Sequence, residues 1–119
     1  MSHSANFQFL SIERAMEFIG DAQGVLSLLH TLRQSLNDDL PRIEQRLAAD
    51  DVEGANQLLH QLKGFTPVFC TEPIVQEVVS VEALSKRASA QEVEQAYAQL
   101  APKLAQLQAE VEQHIAANT

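Results

Sequence analysis

The segment NQLLHQLKGF, residues 56–65, places a histidine at 60, a lysine at 63 and a glycine at 64. An imidazole in water titrates near ~6.5, so at pH 7 much of it is neutral and nucleophilic. On a helix, a lysine three residues further on shares the histidine's face and can bring an ammonium beside the ring. A glycine at the next position opens the space one turn along. In an exposed helix interior that glycine costs ~1 kcal/mol relative to alanine, so it calls for an explanation. A nucleophile, a nearby cation and a gap for an approaching surface suit the capture of a phosphoryl group. Such a group brings roughly two negative charges that an ammonium stabilises.

This chemistry needs a helix that turns the right side to water. At about 100° per residue, with Ala55 at zero, Leu58, Leu59, Leu62 and Thr66 cluster within about 60° of the origin and define a buried face. His60 falls near ~140°, Gly64 near ~180°, Gln57 near ~200°, Asn56 near ~100° and Lys63 near ~80°. The histidine, the lysine, both amides and the glycine therefore share the solvent side.

The rest of the chain reads as further helices. Ser11 caps a short helix over Ile12–Ile19, and Gly20 stops it. Asp21 caps a long one whose stripe is Val25, Leu28, Leu29, Leu32, Leu36, Leu40, Ile43 and Leu47. Asp50 or Asp51 caps the helix that carries His60, and Pro67 is expected to bend or end it. Thr71, Glu72 and Pro73 open the next, which should run to about Ala88. Ser89 with Glu92 forms a capping box for the last, striped by Val93, Ala96, Tyr97, Leu100, Leu104, Leu107, Val111 and Ile115. Pro41 and Pro102 should kink their helices. No period-two alternation occurs and no hairpin turn signal. The expected fold is all-α, an antiparallel four-helix bundle with a short additional N-terminal helix. Residues 1–9 read as a flexible tail, with Phe7 and Phe9 able to fold back on the core. Residues 10–119 form a single domain.

Composition narrows the partners. The 119 residues carry 8 basic and 16 acidic side chains, a net charge of −8. Such a surface disfavours nucleic acid and anionic membranes. No apolar run approaches the ~18 residues of a membrane span, and MSHSANFQF has no secretory pattern. The single cysteine, Cys70, allows no internal disulfide and fits a cytoplasmic protein. No metal-ligand spacing occurs, and no glycine-rich phosphate loop.

The string His60-Gln61-Leu62-Lys63-Gly64 resembles the His-x-Leu-Lys-Gly signature of histidine phosphotransfer (HPt) domains of bacterial two-component phosphorelays. With the acidic turn before the helix and the all-helical layout, the likeness spans roughly residues 10–115. It implies that His60 is the phosphorylation site. Nε2 of the ring would accept a phosphoryl group from an aspartate of a response-regulator receiver domain and pass it on. It also implies that Lys63 stabilises the phosphate and that Asn56, Gln57, Gln61, Gly64 and Phe65 form the docking face. Family members often place Glu or Gln on the following helix against the other ring nitrogen, and here that position is Glu82. On its own wheel Glu82 falls within the apolar arc of Ile74, Val75, Val78, Val79 and Val81, where a carboxylate needs a partner. His60 and Lys63 both qualify.

The resemblance further implies a monomeric phosphoryl carrier without kinase activity of its own. Its partners would be receiver domains and a hybrid sensor histidine kinase. It needs no cofactor, since the receiver holds the Mg²⁺. Phe65, Thr66 and Pro67 depart from the family's small residues, and Cys70 stands where a glycine is usual. That stretch keeps a second reading open, a helical adaptor that binds a receiver or kinase domain without accepting phosphate. His30-Thr31-Leu32-Arg33-Gln34 mimics the motif but lacks the glycine and sits on the wrong helix.

Overall fold

A computed structural model describes residues 7–118. Five helices follow in order: α1 (Ile12–Ile19), α2 (Ala22–Ala48), α3 (Val52–Phe69), α4 (Glu72–Leu84) and α5 (Ala90–Ala117). Four of the five start where a side-chain oxygen accepts from an orphan N–H group, whereas the α4 cap, Thr71, makes no such bond. Ser11 accepts from Arg14 N–H, Asp21 from Gly24 and Asp51 from Gly54. Ser89 and Glu92 satisfy each other's backbone as a capping box. Gly20 closes α1 at φ 100°, a conformation in which a side chain would be strained.

The long helices form a ring of neighbours. α2 packs on α3 and α5, and α4 packs on the same two, while α1 lies against α2 and α3. The product is a rod of 45 × 22 × 21 Å. Its interior is filled by Leu36, Ile43, Leu59, Leu62, Ile74, Leu100, Leu104 and Leu107, all fully buried. Each such side chain contributes roughly 1.5–3 kcal/mol. None of the described helices is long and apolar enough to cross a membrane.

The observed helices differ from several of these expectations. α4 ends at Leu84, not Ala88. There Ser85 Oγ donates to the Glu82 carbonyl, and Lys86 and Arg87 N–H reach only three residues back, so the helix tightens into a turn. Pro67 does not end α3, which continues to Phe69 before Cys70 N–H bonds Thr66. α2 and α5 carry Pro41 and Pro102, the expected kink positions, inside single helices. Leu28 and Val79, assigned to apolar stripes, are 44% and 37% exposed.

In the tail, Phe7 and Phe9 pack against the core, as the sequence allows. Residues 1–6 lie outside the described part, but 7–9 are held. Glu110, buried on α5, accepts from the backbone N–H of Gln8, Phe9 and Leu10 at 2.7–3.0 Å. On the opposite side, Thr71 N–H donates to Phe9 and Ser11 N–H to Phe69. Leu10 is thereby sealed between α5 and the α3–α4 turn, beside the buried Cys70.

Candidate functional site

α3 exposes the histidine as its wheel requires. Ala55, Leu59, Leu62 and Thr66 are buried, Leu58 partly so, and the His60 side chain is 65% exposed. α4 runs antiparallel beside it, so that Asn56 meets Ser85 while His60 and Lys63 both meet Glu82. Glu82 is 1% exposed and forms the hub. His60 Nδ1 lies 3.4 Å from its Oε2, and Lys63 Nζ 3.3 Å from its Oε1. Asn56 Nδ2 donates to Oε2 at 3.2 Å and to Ser85 Oγ at 2.8 Å. Lys86, one turn beyond Glu82 on α4, brings Nζ to 3.5 Å from Oε2.

Burial pushes the Glu82 carboxyl up, but the bonds from Lys63, His60 and Asn56 outweigh it and hold the group below its ordinary 4.5. Because the folded pKa is depressed, Glu82 contributes stability that is fully present above about pH 4.5 and is lost as pH falls towards the folded value. The stability advantage of the wild-type chain over Glu82→Gln should therefore be full at pH 6–7 and shrink below about pH 4.5, as urea melts across that range would read. An unchanged advantage down to pH 3 would refute this ionised Glu82.

The ionised carboxylate can only accept, so the proton on the His60 ring must sit on Nδ1. That leaves the lone pair on Nε2, the outward nitrogen. His30 is the contrasting case. Its Nδ1 faces the Arg33 guanidinium at 3.2 Å, and Arg33 also pairs with Glu112. A guanidinium can only donate, so His30 must carry its proton on Nε2 and has no outward lone pair when neutral. The two similar strings thus present opposite tautomers.

The other expected residues divide. Gln57 and Gln61 are exposed beside His60 and, with Asn56, Glu82 and Lys86, line an open recess next to the ring. Asn56 is half-buried, and its amide holds Glu82 and Ser85 in place. Phe65 is partly buried against the core. Gly64 is exposed, and a Cβ built there meets nothing within 4 Å. Gly64→Ala should therefore raise stability by about 1 kcal/mol in chemical melts, since only helix propensity changes. Gly64→Gln should fold equally well and fill the gap beside His60.

Lys86 and Ser85 escaped the sequence reading. The signal for Lys86 was its spacing of four from Glu82, which sets the two on one helix face. Burial pushes the Cys70 thiol up to about 12, which keeps it a protonated core residue. Among the described residues, no group of three or more His, Cys, Asp or Glu is arranged to hold a metal ion.

A helical bundle that presents an imidazole from its flank, backed by a buried carboxylate with ammonium groups beside it, has the layout of a histidine phosphotransfer module. The Hpt domain family model matches residues 27–117, and the chain belongs to that family. Neither the curated proteins nor the solved structures give a significant match. Histidine phosphotransfer in phosphorelays is the family's activity, and its members are carriers rather than kinases.

Proposed function

We propose that this chain relays phosphoryl groups between aspartates of receiver domains on Nε2 of His60. The observation that carries this reading is the buried, ionised Glu82 at Nδ1, which fixes the tautomer with its lone pair facing water. The Nε2 pair attacks phosphorus of the aspartyl phosphate. The P–O bond to the aspartate breaks, and its electrons return to that carboxylate. The ring becomes an N-phosphoimidazolium that keeps its Nδ1 proton, and Glu82 faces the new positive charge. Transfer onward is the reverse, so no proton need leave the site. Lys63 can turn from Glu82 to the phosphoryl oxygens.

The chain supplies position and electrostatics. The receiver contributes the Mg²⁺ that screens the aspartyl phosphate. Exposed Gln57 and Gln61, with the Gly64 gap, form the surface on which the receiver settles. On this reading the protein is a cytoplasmic monomer fed by a hybrid sensor histidine kinase. The test is incubation of the full chain with receiver domains charged by acetyl phosphate and Mg²⁺. The expected product is a label on this chain that is lost in acid and kept in base. A chain that binds charged receivers yet stays unlabelled would instead be an adaptor.

A further inference from the structure

Asn56 stands one turn before His60 on α3 and turns its amide towards α4. The amide nitrogen meets three oxygens: Ser85 Oγ at 2.8 Å, Glu82 Oε2 at 3.2 Å and the Glu82 carbonyl at 3.4 Å. None of the three can donate to it. A carbonyl and an ionised carboxylate only accept. The Ser85 hydroxyl has a single proton and gives it to the Glu82 carbonyl at 2.6 Å. The end of Asn56 that faces α4 must therefore be its NH₂. Both hydrogens are spent inside the site.

The charged and titratable groups that face Glu82 are His60 and Lys63 from α3 and Lys86 from its own helix. Both lysines are partly exposed and swing on long stems, so they can follow the carboxylate into several orientations. Asn56 has a short side chain on the α3 backbone, and its brace, Ser85, is buried. Ser85 also stops α4, so one hydroxyl serves both the end of that helix and the amide that holds the carboxylate. Asn56 and Ser85 are the stiff part of the cluster. Which ring nitrogen carries the proton is set by the bond that the other makes. A neutral histidine in water favours Nε2–H, and such a ring has no lone pair at its outer nitrogen. An Oε2 fixed at Nδ1 reverses that preference, whereas one that wanders reverses it only part of the time.

Resting on the phosphorelay reading above, we propose that Asn56 is a positioning residue for His60: braced by Ser85, it pins Oε2 of Glu82 at Nδ1 and so keeps the attacking lone pair on Nε2. It acts through the carboxylate, on the share of rings ready to attack, and not on the phosphoryl group. Aspartate at this position has nearly the same shape but brings a second carboxylate within hydrogen-bond reach of the first. Two carboxylates that share a site raise the pKa of one of them. While the pair holds a proton, the new carboxyl can donate to Oε2 as the amide did. Without that proton the two repel, and Oε2 leaves Nδ1.

The tautomer is read in the full, unphosphorylated chain from the nitrogen-15 resonances of the His60 ring at about pH 8, above the ordinary range for imidazole. A protonated and a bare ring nitrogen resonate far apart. Wild type should carry its proton on Nδ1. Asn56→Ala should move the Nε2 resonance towards its protonated position. It should also slow transfer from a receiver domain charged by acetyl phosphate about three-fold, the low end for loss of one hydrogen bond. Ser85→Ala should give a smaller shift in the same direction. In Asn56→Asp the transfer rate relative to wild type should rise at least about three-fold as pH falls from about 8 to about 6, when the carboxyl pair takes up its proton. Asn56→Ala should show no such profile, and circular dichroism should find wild-type helix content in all three variants. A wild-type ring spectrum or a full transfer rate in Asn56→Ala overturns the positioning role. A wild-type chain that takes no label on His60 overturns the phosphorelay reading instead, and the ring spectra still decide whether Asn56 sets the tautomer.

Discussion

His60→Gln should abolish labelling by a charged receiver domain and leave the fold untouched. The side chain is 65% exposed, and its recorded polar contact is the Nδ1–Glu82 bond. Glutamine is a good helix former and its amide can donate to the same carboxylate, so Glu82 is not stranded. Stability should stay within about 0.5 kcal/mol of wild type, the usual range for surface substitutions. Transfer has no substitute route. His30, the nearest mimic, holds its outward nitrogen protonated against Arg33, and His30→Gln should label like the wild type. Autoradiography after acid and alkali treatment, alongside circular dichroism, reads both halves. Label retained in His60→Gln would reassign the phosphorylated residue.

Glu110→Ala should cost about 3 kcal/mol of stability, a fall in Tm of about 10 °C for a chain of this size. The Glu110 carboxylate takes three consecutive backbone N–H groups, from Gln8, Phe9 and Leu10, and a fourth bond from Gln106. Removing it strands donors in a region where water reaches them poorly, at roughly 1–3 kcal/mol for each fully buried one. Leu10, 1% exposed, would lose the anchor that holds it in the core. Glu110→Gln keeps one acceptor oxygen and should lose about half as much. Calorimetry of the three proteins decides the matter. A Glu110→Ala chain melting within 2 °C of wild type would mean that packing alone holds the N-terminal segment. Phosphoryl transfer should survive in both variants below their melting points, since Glu110 belongs to a different part of the bundle from His60.

Much of this architecture was legible because local chemistry marked it. The caps Ser11, Asp21, Asp51 and Ser89 act within three residues of themselves, so the sequence displays both partners. The α3 face was legible because Ala55, Leu59, Leu62 and Thr66 leave His60 no direction but outwards. What stayed hidden depends on distant neighbours. Glu110 lies about 100° from the centre of the α5 stripe, where a glutamate reads as a solvated charge, and its partners lie about a hundred residues away. The end of α4 was misplaced because Ser89 offered a strong start signal while the Ser85 bond that stops the helix gives a weak one. Leu28 lies about 80° from the centre of its stripe, and Val79 about 100° from the centre of the arc that holds Glu82. Hydrophobic identity placed both inside, but their helical angle carries them to the margin. The Glu82 site was half legible. The family resemblance pointed to its carboxylate, but Asn56, Ser85 and Lys86 gather there only through the register of α3 against α4.

The imidazole stands on the side of a narrow cylinder, 65% exposed. If His60 carries the phosphoryl group as proposed, its ring on one flank can face one receiver at a time. Donor and acceptor therefore exclude one another, and each turnover requires the carrier to leave the first before it meets the second. A partner that holds the carrier too tightly would throttle the relay, however fast the chemistry. Useful complexes must be brief, and flux through the pathway is governed by dissociation rates and by how many copies of each receiver compete for the same exposed ring.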